Sequence, residues 1–177
     1  MKLHIGCGNK NLLGYKHFDA RKVDAHIDFV GDCSDLSMFE DNSLEEIYAC
    51  HLLEHIERYR VDAVLKEWYR VIKRGGVLRL AVPNFEAIVS YYNETHDLAK
   101  VFGLLYGGQD YEFNFHYGTF DFDYLRKKLL ATGFKKIERY DWREFLPPDY
   151  DDFSRAYLPH MDFEHGKLMS LNMTAEK

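Results

Sequence analysis

Apolar positions come first in short runs and then in a helical rhythm. "LHI" (Leu3–Ile5), "GYKHFDA" (Gly14–Ala20) and "AHIDFVGD" (Ala25–Asp32) are short enough, and sharply enough ended, to predict strands. "DNS" (Asp41–Ser43) reads as a turn before a fourth strand, "LEEIYAC". Between Arg58 and Lys73 the apolar residues Val61, Val64, Leu65, Trp68, Val71 and Ile72 share one helix face. Lys73 and Arg74 would complement the last turn of that helix, and Gly75-Gly76 would stop it. "VLRLAV" predicts a fifth strand closed by Pro83, and Asn84 is placed to cap a helix through "FEAIVSYYNE". "DFDYLRKKLLATGF" predicts a capped helix ended by Gly133, with Leu125, Leu129 and Leu130 on one side. "KKIERYD" and "SLNMTAEK" predict two last strands that pair antiparallel.

Strands that alternate with helices or crossings argue for an α/β fold, a single domain over residues 1–177, with a mostly parallel sheet and an antiparallel last strand. In such sheets ligands lie beyond the carboxyl ends of the strands, where strand order reverses. The first strand runs into Gly6-Cys7-Gly8.

Composition narrows the setting. The chain is 46% hydrophobic and 29% charged with a net charge of −6, which suits a globular protein and disfavours nucleic acid or an anionic membrane as partner. The basic run Arg126–Lys136 reads as a solvated helix face. Cys7, Cys33 and Cys50 lack CxxC spacing and are odd in number, so buried free thiols are expected rather than disulfides or a zinc site. No leader-like segment precedes "KLHIG" and no apolar run is long enough to span a membrane, so a cytoplasmic location is expected.

Glycines at 6 and 8 permit left-handed backbone and close approach of a ligand. A dinucleotide fingerprint would want a further glycine where Asn11 stands, which disfavours NAD. Asp19, eleven positions after Gly8 (19 − 8), stands where an acid can accept both protons of a ribose diol. Next come "GDCSDLSMFEDNSLEEIYACHLLEHI", a helix, "RVIKRGG" and "VLRLAVPNF". As an ordered set, from Leu3 to about Phe85, these resemble the class I S-adenosylmethionine-dependent methyltransferases, in particular their small-molecule branch. "GFKKIERYD" and "SLNMTAEK" are similar to that family's sixth and seventh strands.

The resemblance implies a Rossmann-like sheet and S-adenosylmethionine as cofactor. It implies that Gly6, Cys7 and Gly8 line the methionine end, Asp19 holds the ribose, Asp32 and Cys33 meet the adenine, and His51 sits near the sulfonium. Lys73-Arg74-Gly75 departs from the family's Lys-Pro-Gly, and Leu44 and Glu45 from its Phe and Asp. Eleven residues cannot hold the family's usual helix and a second strand, so the first crossover is expected to be a bare loop, "NKNLLGY". This shortened form resembles a subset found in surface-glycan contexts, which implies a small-molecule or glycan-related acceptor and leaves the oligomeric state open.

For the chemistry, His51, Glu54 and His55 in "HLLEH" follow the fourth strand. The two histidines are i and i+4, but HEXXH is absent, so no metal is expected. The aromatic stretch Tyr106–Tyr124 has no helical period and occupies the slot where methyltransferases insert a substrate lid, about residues 98–124. Within it His116 is the expected general base, with His51 and Glu54 as further catalytic candidates. The competing reading is a methyltransferase-like protein that binds a ligand or partner without chemistry.

Overall fold

The computed structural model describes residues 1–177. In chain order the elements are β1 (Lys2–Ile5), β2 (Lys16–Asp19), β3 (Phe29–Val30), β4 (Leu44–Cys50), α1 (Val61–Val71), β5 (Ile72–Pro83), α2 (Phe85–Thr95), α3 (Phe102–Tyr106) and α4 (Phe122–Thr132). Then follow β6 (Lys135–Arg139), α5 (Trp142–Phe145), β7 (Tyr157–Leu158), β8 (Lys167–Leu168) and β9 (Ser170–Glu176). Seven strands form one sheet in the order β3-β2-β1-β4-β5-β9-β6; β9 alone runs antiparallel to its neighbours, and β7 and β8 make a separate two-stranded ribbon. This is the Rossmann-like α/β sheet expected from the pattern. Its order reverses between β1 and β4, which sets the ligand crevice at their carboxyl ends.

The two faces of the sheet are covered differently. One carries the main core of 26 buried residues, where Val61, Val64, Leu65, Trp68 and Val71 of α1 pack on Leu3, Ile5, Ile47 and Leu80. Each such side chain contributes about 1.5–3 kcal/mol by leaving water. On the other face no helix lies between β1 and β2, and the crossover is the expected bare loop. Leu12 from that loop packs on Tyr48, Cys50 and Ala81, and its N–H donates to His17 Nε2 at 3.0 Å. The rest of this face is roofed from further along the chain. Phe145 meets Tyr48 edge to face with centroids 4.9 Å apart, Arg79 lies 4.0 Å over the Phe145 ring, and Tyr48 donates to Asp152 at 2.6 Å. An aromatic layer thus takes the place of the missing helix.

Local departures have physical reasons. Helix α1 stops at Val71, and Ile72 is already extended and paired with Leu44, so Lys73 and Arg74 are not in the helix. Gly75-Gly76 does not stop the helix. The register jumps from Leu44↔Ile72 to Glu46↔Val77, so Lys73–Gly76 forms a bulge in β5. There Gly75 has φ +73°, and a Cβ on Gly76 would come within 2.8 Å of the Glu45 carbonyl. Asn84 stands at the head of α2, but its side chain caps nothing. Asp121 and Gly133 bound α4 as expected, with Asp121 accepting from Tyr124 N–H; Leu130, however, is exposed. All three cysteines are free; Cys7 and Cys50 are buried and Cys33 is partly so.

Candidate active site

The chain leaves β1 through Gly6 at φ +66° and turns over Gly8 at φ +54°. A Cβ on Gly6 would come within 2.8 Å of Leu52 Cδ1, whereas one on Gly8 would meet nothing within 4 Å. Gly8 therefore keeps space open above the loop. The loop is tied down by Asp19 at the end of β2, whose carboxylate accepts from Gly8 N–H at 2.8 Å and from Arg21 N–H at 3.0 Å. Asp32, just past β3, accepts from Ser34 N–H at 2.8 Å and lies 3.5 Å from Arg60. Burial, with the Asp19 charge beside it, pushes the Cys7 thiol up to about 12. Burial and Asp32 push Cys33 up equally far. Both thiols stay protonated and have no nucleophilic role.

Beyond β4 the residue His51 is left-handed at φ +49°, a strained conformation for a side chain of its size. Its Nε2 meets Ser170 Oγ at 3.1 Å, and that hydroxyl donates onward to Asn172 Oδ1 at 2.8 Å. A hydroxyl has one proton to give, so His51 Nε2 is the donor and Nδ1 carries the lone pair. Burial first, then the neighbouring His116 and His55, holds the His51 pKa down to about 3. Its Nδ1 lies 3.3 Å from Glu54 Oε1.

Glu54 sits in the short 3-10 turn Leu53–His55 and is fully buried. Neither carboxyl oxygen has a hydrogen-bond partner, and burial pushes its pKa up to about 8. At neutral pH Glu54 and His51 are therefore both uncharged, and their contact is not an ion pair.

A cavity of about 680 Å3 opens beside these groups, within the roughly 300–1,000 Å3 usual for small-molecule sites. Gly6, Cys7, Gly8, His51, His55 and His116 all line it. Glu54 lies behind the wall, and Asp19, Asp32 and Cys33 sit at the ends of β2 and β3, off its lining. His116 comes from the segment between α3 and α4, which has no regular structure from Gly107 to Thr119. That segment is clamped by Tyr117 and Gly118 N–H groups on the Glu54 carbonyl, at 2.7 and 3.1 Å. Its aromatic tip reaches the chain just past β2, with the Arg21 guanidinium 4.3 Å over Tyr111.

Sequence reasoning missed a second cover. Asp152, Phe153, Arg155, Tyr157 and Met161 line the opposite wall, and Phe153 stacks 5.4 Å from the His51 ring. The signal was present in the acid–aromatic run "PPDYDDF" (Pro147–Phe153), which has neither strand nor helix period.

The comparisons with known proteins agree with the fold that positions this site. The family described as "Methyltransferase domain" matches residues 3–80, which hold the glycine loop, Asp19, Asp32 and the whole "HLLEH" turn. A solved S-adenosylmethionine-dependent methyltransferase from Archaeoglobus fulgidus superposes with a TM-score of 0.59 at 16% identity, over 99% of this chain and 85% of that one. One from Methanosarcina mazei gives 0.58 at 19%, over 99% and 91%. One from Thermotoga maritima, described as a possible histamine N-methyltransferase, gives 0.59 at 16%, over 99% and 81%. No curated protein matches the chain by sequence.

Sheet, switch point and glycine loop define a Rossmann-like methyltransferase fold. The family match over residues 3–80 and the methyltransferases that share this fold point to S-adenosylmethionine as the cofactor. The residues present suit that group: Gly8 leaves the space above the loop free of a side chain, and the cavity runs from the loop to His51. No helix is long and apolar enough to cross a membrane.

Proposed function

We propose that the protein methylates a small hydroxyl-bearing acceptor, of the size and polarity of a glycan-related metabolite, in the cavity between the glycine loop and the His51–Glu54–His116 cluster. One observation carries this reading: a single cavity joins Gly6–Gly8 to His51 and His116, with an unpartnered carboxyl directly behind them. When bound, S-adenosylmethionine supplies a sulfonium-activated methyl group. On this reading the chain holds its methionine end over Gly6, Cys7 and Gly8. Each Asp19 oxygen keeps a lone pair for a ribose hydroxyl, since each accepts only one bond from the loop. Asp32 and Cys33 face the adenine.

The segment carrying His116 and the Phe153 wall bound the cavity, and alignment inside them supplies most of the acceleration, up to about 7–11 kcal/mol in well-oriented reactions. The acceptor's proton leaves past imidazoles that are uncharged at neutral pH. Free thiols support a reducing, cytoplasmic setting.

Calorimetry with S-adenosylhomocysteine, followed by a screen of hydroxylated acceptors for its release, tests the reading. Binding is expected in the wild type and its loss in Gly8→Val. His116→Ala should lower turnover by about a hundredfold while leaving S-adenosylhomocysteine affinity within a few-fold. Absence of any binding heat or thermal shift would leave a non-catalytic protein instead.

A further inference from the structure

Glu54, His55 and His116 each offer a ligand atom, and these atoms lie within 4.8 Å of one another. Both histidines are oriented the same way. His55 Nδ1 lies 3.1 Å from the Phe115 carbonyl and His116 Nδ1 lies 3.0 Å from the Leu104 carbonyl. A carbonyl only accepts, so each Nδ1 carries the hydrogen and each Nε2 is left as a bare lone pair. His116 Nε2 faces Glu54 Oε1 at 4.0 Å, and the two imidazole rings stand perpendicular, 4.6 Å apart. On the other side His51 Nδ1, also without a hydrogen, lies 3.3 Å from the same oxygen.

With Glu54 ionised, as a metal ligand must be, the centre is lined by lone pairs alone. A fully buried carboxyl has three imidazoles around it and no hydrogen-bond donor. Buried polar groups are nearly always paired, so this hole calls for a cation. Backbone carbonyls that fix histidine tautomers are the usual outer support of metal-bound imidazoles.

We propose that Glu54, His55 and His116 bind one divalent transition-metal ion, of the zinc or manganese kind, whose open positions face the cavity and take an oxygen of the acceptor. Two imidazoles and one carboxylate suit such ions. Ligand atoms on a tetrahedral ion of this size stand about 3.4 Å apart, so contraction of the present spacing by roughly 1 Å would close the site. His55 and His116 line the cavity, which leaves the remaining positions open to substrate.

The sequence expectation of no metal looked for HEXXH within one helix. Here the third ligand arrives from the covering segment, 61 positions after His55 (116 − 55), and the Glu54 carbonyl clamps that segment in place. The inference rests on the proposed methyl transfer and names its acceptor class, an oxygen able to ligate a metal. The acceptor oxygen forms its bond to the methyl carbon as the carbon–sulfur bond breaks, the electron pair stays on sulfur, and the hydroxyl proton leaves to water. Acidification of that hydroxyl by the ion makes a protein base unnecessary, so His116 becomes a ligand.

The test uses tag-free protein, with Zn2+ or Mn2+ titrated in a calorimeter and Mn2+ followed by electron paramagnetic resonance. The expected result is one ion per chain, with affinity lowered at least a hundredfold in His55→Ala, His116→Ala and Glu54→Gln. S-adenosylhomocysteine binding in the same variants should stay within a few-fold, which also certifies their folding. No stoichiometric binding, or binding unchanged in all three variants, overturns the proposal and leaves a proton as the only cation of Glu54. Ion binding without S-adenosylhomocysteine binding would refute the methyltransferase reading and keep the site.

Discussion

Replacing Asp19 by asparagine separates the loop contacts of this carboxylate from the ribose contact proposed for it. It is buried, and it accepts from Gly8 N–H at 2.8 Å and Arg21 N–H at 3.0 Å. An asparagine side chain of the same shape has one oxygen and one NH2, so one backbone N–H must lose its acceptor and face a donor. A hydrogen bond to a charged group contributes about 1.5–3 kcal/mol, and the surviving bond drops to the neutral range of about 1 kcal/mol. The expected loss in folding stability is therefore about 2–4 kcal/mol before any cofactor is added. For a domain of this length that is a fall in Tm of roughly 5–15 °C. Scanning calorimetry of ligand-free wild type and Asp19→Asn measures this directly, and titration with S-adenosylhomocysteine then measures the further loss at the ribose. A ligand-free Tm within about 2 °C of wild type would refute the reasoning, because Gly8 and Arg21 would then hold the loop without the acid.

Three further outcomes are expected. Gly8→Ala should cost little in folding, about 1–2 kcal/mol for its left-handed backbone, yet weaken S-adenosylhomocysteine at least tenfold; Gly6→Ala, pressed against Leu52, should lose more stability, and equal effects at the two positions would contradict the loop geometry. Burial, then the charges of His17 and His26, holds the His4 pKa down to about 3. The unfolded chain therefore takes a proton below about pH 6.5 that the folded one refuses, and stability present above that pH falls as pH drops toward 3. Between pH 7 and 5 this amounts to about 2 kcal/mol, and urea melts of His4→Leu should lack that increment; identical slopes would refute it. Arg21→Ala removes a cation–π contact of about 0.5–1 kcal/mol. It should speed amide exchange in Gly107–Thr119 without changing the global Tm, and unchanged exchange would mean that Tyr111 does not hold the segment.

The sheet and its helices were legible because they are bounded by residues with one physical meaning each, such as Gly6 after β1, Pro83 at the end of β5 and Gly133 after α4. The loop crossover was legible from distance alone, since no helix and strand fit between Gly8 and Asp19. The bulge at Lys73–Gly76 was not, because two glycines after a helical stripe look the same whether they end a helix or let a strand slip past Glu45. The histidine centre was half legible. "HLLEH" is local, but its relation to His116 depends on how a segment without periodicity is clamped, and to Ser170 on which strand enters last. For the Phe153 wall only the composition of "PPDYDDF" was legible, not its place, which comes from tertiary contacts with Tyr48 and His51.

The place of β9 has a consequence for how the protein is made. Residues 1–83 contain the glycine loop, Asp19, Asp32 and the "HLLEH" turn, and they emerge from the ribosome before the rest. Yet the hydroxyl that sets the His51 tautomer is Ser170, 119 residues later, on a strand inserted between β5 and β6. Until that insertion β5 presents an unpaired edge, open to neighbouring chains, and His51 has no fixed proton. Growing chains thus acquire the glycine loop well before the partner that orients His51. Vectorial synthesis leaves the His51 ring unoriented until the sheet is sealed, and the interval before sealing is when the polypeptide is most exposed to aggregation and most in need of a chaperone.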